Sequence, residues 1–115
     1  MQPLQEKQIR TLAQAVIEYI AANETTKLYR ETALNSCYAA ITLELFGMTP
    51  QELKIARGVQ DGTGVLFTSD ELKLIGMIEE ITLDFMDKGY QPIEAVIEAL
   101  EHPGVILGKC VIAYK

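Results

Sequence analysis

The chain has 115 residues, enough for one domain that buries its own hydrophobic core without disulfides or metal. Hydrophobic residues make up 49% and charged residues 23%, a globular balance that excludes a disordered chain. The formal net charge of −6, from ten basic and sixteen acidic residues, argues against nucleic acid as a partner, and a single His leaves little for acid–base work near neutral pH.

Ile9, Leu12, Ala13, Val16, Ile17 and Ile20 recur at helical spacing, with Glu6, Arg10, Gln14 and Glu18 on the other side. Pro3 suits a first turn, so the spacing predicts a helix over 3–22. Asn23-Glu24-Thr25-Thr26 interrupts it, and Thr25 or Thr26 can cap a second helix. With no Gly or Pro there, one long bent helix is the alternative. The second helix is expected over 26–46. It carries no charge from Thr32 to Leu43, and its apolar residues (Leu34, Cys37, Tyr38, Ile41 and Leu45, with Ala33, Ala40 and Leu43 elsewhere) occupy more than one side. A helix of that kind is buried on several sides, so it is expected at the centre of the fold or shared with a second subunit.

Gly47 reads as a C-cap. Thr49-Pro50-Gln51-Glu52 reads as a capping box opening a short helix that ends near Gly58. Val59–Gly64 contains Asp61-Gly62 and is the main loop. Val65-Leu66-Phe67 has the composition of a short strand or an extended approach. Thr68 with Glu71 forms a second capping box, Ser69 competing as cap, for a helix over 69–88 that Gly89 stops. Pro92 starts the next helix, with Ile93, Val96, Ile97 and Leu100 as its stripe. Val105-Ile106-Leu107 and Val111-Ile112-Ala113-Tyr114 have strand composition and can pair with 65–67 as a β-ribbon, provided it packs on helices.

Few side chains offer chemistry. Cys37 and Cys110 have apolar neighbours and read as buried, reduced thiols. Glu94, Glu98 and His102 can share a helix face, but a second Glu-x-x-His set of the helical metal bundles is missing. Glu79, Glu80, Asp84 and Asp87 read as a solvated acidic side. Asp61-Gly62-Thr63-Gly64 lacks both the ligand spacing of a calcium loop and the Gly-Lys-Ser/Thr of a phosphate loop. Residues 39–57 can be read as helix-turn-helix, with Lys54 and Arg57 on the second helix. The start, Met1 to Glu6, lacks the pattern of a signal peptide, and no stretch has the apolar length of a membrane span, so a cytoplasmic location is expected.

Leu45-Phe46-Gly47-Met48-Thr49-Pro50-Gln51-Glu52-Leu53-Lys54 resembles the helical segment of phage and mobile-element proteins of the KilA-N, BRO and DNA-damage-inducible protein D type, which carry a Leu-Phe-Gly-x-Thr-Ala-x-Glu-like stretch. Thr68–Gly89 is similar to the helix that follows it there, and the likeness covers about residues 38–100. The Arg-Asp pair common in that linker is replaced by Val65-Leu66-Phe67, and no basic DNA-binding domain precedes the segment. The resemblance implies a mobile-element origin and a helper or oligomerisation role, with no catalytic residue.

The expected fold is mainly α: one domain over 1–115, of about five helices, with a short β-ribbon joining 65–67 to 105–114. The expected function is non-enzymatic protein–protein interaction, as a homodimer or other homo-oligomer or with a protein partner. Leu34, Tyr38, Ile41, Val111 and Tyr114 are the interface candidates. No catalytic residue, metal ligand or cofactor is expected, and neither membrane nor nucleic acid is an expected partner. One alternative is a DNA-binding regulator using Lys54 and Arg57. The other is a small-ligand binder or enzyme with the 59–68 loop at its site.

Overall fold

Helices in this chain begin where a threonine or a proline can serve the first turn. Thr11, Thr26, Thr49 and Thr68 are all extended, and each hydroxyl accepts a bond from the amide three residues on, at 3.0–3.2 Å. In three of them the reciprocal bond closes a capping box: Gln14 to Thr11, Glu52 to Thr49 and Glu71 to Thr68. Pro50, Pro92 and Pro103 each stand at a first helical position, where the missing N–H costs nothing.

The computed structural model describes residues 11–59 and 66–113. They form six helices: α1 Leu12–Ala22, α2 Lys27–Phe46, α3 Pro50–Ala56, α4 Ser69–Asp87, α5 Pro92–Leu100 and α6 Pro103–Ala113. The extended Thr11 means that the expected helix over 3–22 is not continuous, and its residues 3–10 lie outside the described set. Extended Asn23 and Thr26 separate α1 from α2, which removes the single bent helix. Gly47 ends α2 with φ 71° and donates to Leu43 O, and Gly89 turns after α4 with φ 105°.

The core joins Leu12 and Val16 of α1, Ala33, Cys37 and Ile41 of α2, Leu74, Ile75 and Ile78 of α4, Val96, Ala99 and Leu100 of α5, and Val105 of α6. α2, expected at the centre, packs chiefly on α1, α3 and α5 and also reaches α4 through Tyr38–Glu79 and α6 through Glu44–Lys109. α5 shares that central place, packing on α1, α2, α4 and α6. Ala95, Val96 and Ala99 make α5 thin on its inner side, and all three are fully buried. Small side chains there let four neighbours approach one short helix.

The strand-like tail is the main correction. Residues 103–113 are α6, no strand occurs among the described residues, and residues 65 and 114 of the expected ribbon lie outside them. His102 caps α6: Gly104 N donates to its Nδ1 at 3.0 Å, and Val105 N and Ile106 N both donate to its carbonyl. Gly104 and Gly108, one turn apart, then set the packing. A Cβ on Gly108 would lie 2.5 Å from Leu74 Cδ1, and one on Gly104 would lie 3.4 Å from Met77 Sδ. α6 therefore sits close enough to α4 that a side chain at position 108 would have to displace the end of Leu74. Branched residues favour strands in general, but capping and close helix packing outweigh that preference here.

Candidate functional site

α6 presents an uncharged outer face. The core side of the helix holds Gly104, Val105 and Gly108. Helical spacing puts Ile106, Leu107 and Cys110 on the opposite side, with Val111 at its edge, next to Gly108, where it shares a groove with Asp70, Lys73, Leu74 and Met77 of α4. All four are exposed, Leu107 at 68% and Val111 at 56%. The sole charge on α6 is Lys109, and its ammonium is paired with Glu44 of α2. None of these four exposed residues carries a charge. Cys110 lies on this face, so the expectation that it is buried is corrected, while Cys37 is buried in the core.

The interface candidates are distributed unevenly. Val111 is on the outer face of α6. Ile41 is 1% exposed and belongs to the core, so it offers no surface to a partner. Leu34 is half-buried against the same core. Tyr38 is half-buried, and its hydroxyl donates to Glu79 Oε2 at 3.1 Å, tying α2 to α4. Burial and the nearby Glu79 push the Tyr38 phenol up to about 12. Tyr114 lies outside the described residues. Ile106 and Leu107 were missed as candidates because 105–107 reads as strand. A helical wheel started at Pro103 places Leu107 beside Val111 and Ile106 beside Cys110.

Lys54 and Arg57 sit differently from one another. Arg57 bridges α3 to the start of α4: Nη1 and Nη2 donate to Glu71 Oε1 and Oε2 at 2.5 and 2.9 Å. Nη1 also donates to Leu66 O at 2.8 Å, and the guanidinium lies 5.0 Å from the centre of the Phe46 ring, which stacks on Phe67. The Arg57 hydrogen bonds hold the Glu71 carboxyl below the usual carboxylate range. Arg57 is thus engaged in closing the chain across residues 58–68.

Lys54 lines a groove of about 520 Å³ between α2, α3 and residues 66–67. Tyr38, Ala39, Thr42, Pro50 and Phe67 form much of its wall, which is mostly apolar with a few polar groups. The fold thus brings Tyr38 and Lys54 to one surface, beside Leu66 and Phe67 of the expected 59–68 loop site. Residues 60–65 of that loop lie outside the described set.

His102 of the expected carboxylate–histidine face is turned toward the α6 amides by its Nδ1. Among the described residues, no three of His, Cys, Asp and Glu are grouped so as to hold a metal ion. Among them, too, no helix is long and apolar enough to cross a membrane. Comparison with protein-family models, with curated proteins and with solved structures finds no match to this chain.

Proposed function

We propose that this domain works by binding protein, and that its first partner is a second copy of itself, docked through the outer face of α6. The observation that supports this is the side of α6 holding Ile106, Leu107, Cys110 and Val111, exposed and free of charge. An uncharged face can meet its own copy across a two-fold axis without opposing like charges. The reading is non-enzymatic, and the free thiols of Cys37 and Cys110 suit a reducing, cytoplasmic setting.

Light scattering across a concentration series tests the reading. The chain is expected to shift from monomer to dimer, and Leu107→Asp with Val111→Asp is expected to hold it as a folded monomer. A strict monomer at high concentration would overturn it. The mobile-element helper role rests on the resemblance over about residues 38–100, carried by Leu45–Lys54 and Thr68–Gly89. Phage or plasmid genes beside this one would support that role, and metabolic neighbours would remove it.

A second reading, a small-ligand site, is favoured by the groove of about 520 Å³. A fragment screen by NMR tests it. Saturable shifts confined to Ala39, Lys54 and Phe67 would move the assignment there, and their absence would retire it. The DNA-binding alternative is weakened, since Arg57 is held by Glu71.

A further inference from the structure

A separate groove runs between α2 and α5. Its volume is about 450 Å³. Ala40 and Leu43 of α2 and Ile97 and Leu100 of α5 form its apolar lining, and Leu43 and Ile97 are each 48% exposed. Glu44 and Glu101 stand at its two edges. Glu44 is answered by Lys109. Along α5 the charge is one-sided: Glu94, Glu98 and Glu101 are exposed at helical spacing, with no cation on that helix. Among the described residues no ion pair involves these three carboxylates.

We propose that this groove is the docking site for an amphipathic helix of a basic partner, its apolar side on Leu43 and Ile97 and its Lys or Arg residues against Glu98 and Glu101. Charge complementarity selects this occupant. A second copy of the acidic chain would bring Glu98 and Glu101 against like charges, whereas a basic helix turns the same rim into an attraction. The dimension fits as well: a nine-residue α5 is about 13 Å long, which matches two to three turns of a bound helix. Exposed apolar residues flanked by carboxylates of one sign are the complement of a helix with Leu at i and i+4 and Lys between them.

The test uses the full chain and two synthetic helical peptides with the same leucine spacing, one with lysines beside the leucines and one with glutamates. Fluorescence anisotropy is expected to show saturable binding of the lysine peptide, weakening as salt is raised. Glu98→Lys with Glu101→Lys is expected to weaken it by roughly tenfold. Ile97→Ser is expected to weaken it as well, and circular dichroism checks that both variants remain folded. Leu107→Asp with Val111→Asp leaves peptide binding intact, which separates this site from the α6 face. Equal binding of the glutamate peptide, no saturable binding, or indifference to Ile97→Ser would overturn the proposal. Loss of self-association on Ile97→Ser would assign the groove to a second copy and overturn it too.

Discussion

Helices α2 and α6 both run long stretches without charge, yet the bundle encloses the first and leaves most of the second facing outward. In α2, Ala33, Cys37 and Ile41 are buried, and the half-buried Leu34 and Tyr38 pack against the same core. In α6 only Val105 is fully buried. The difference lies in the neighbours. α2 is 20 residues long and packs mainly on α1, α3 and α5, with side-chain bonds to α4 and α6, whereas α6 has 11 residues and packs mainly on α4 and α5. An apolar helix is covered only as far as other elements reach it.

Each helix carries one cysteine, which makes the comparison measurable. Burial pushes the Cys37 thiol up to about 11 and disfavours the reactive thiolate there. Alkylation followed by mass spectrometry is expected to label Cys110 quickly in the folded chain and Cys37 only after unfolding. Comparable rates would break the contrast between the helices. Protection of Cys110 at high protein concentration would sharpen the self-association reading.

Truncation gives the next largest effect. Ile41→Ala removes a core side chain that is 1% exposed and is expected to cost about 2–5 kcal/mol in urea unfolding. Val111→Ala, on the outer face of α6, is expected to change monomer stability by less than about 0.5 kcal/mol. Similar costs at both sites would show that α6 is covered within the monomer.

The glycines probe how α6 is seated. Gly108→Leu drives a side chain into Leu74 and is expected to cost about 1–3 kcal/mol. Gly76 of α4 has open space where a Cβ would go, so Gly76→Ala is expected to add roughly 0.5–1 kcal/mol through helix propensity. A thermal melt of both variants checks the pair, and a neutral Gly108→Leu would mean that α6 does not pack closely on α4.

The smallest effect concerns the α3–α4 junction. Glu71 is held below its ordinary value, first by the Arg57 hydrogen bonds. A lowered carboxylate stabilises the fold fully above the unfolded value of about 4.3, and this contribution is lost as pH falls through the folded one. Glu71→Gln is expected to cost about 1 kcal/mol near neutral pH and to flatten the acid limb of the stability curve. An unchanged acid limb in urea titrations would show that the bridge contributes nothing.

Much of the plan can be read locally. The boxes at Thr49–Glu52 and Thr68–Glu71, the Gly47 cap and the Pro92 start all need only residues within a turn of each other, and all are present. The same proline signal stands at Pro103, but the run of Val, Ile and Leu behind it reads equally well as a strand. Local preference cannot resolve such a stretch, because its packing partners, such as Leu74 of α4 against Gly108, lie far away in the chain. The candidate surface was legible to the same extent: Val111 was visible as an exposed candidate, whereas Ile41 could not be told from it by composition.

An acidic helical domain, the starts of four helices and the stretches without charge were all readable from neighbours along the chain. That α5 sits among four helices, that Arg57 of the α3 end bridges to Glu71 of α4, and that α6 leaves Ile106, Leu107 and Val111 uncovered became visible only once the helices had packed. Those outcomes depend on which surfaces are left after the other helices have packed. Burial is a property of the whole arrangement, and no single segment carries it.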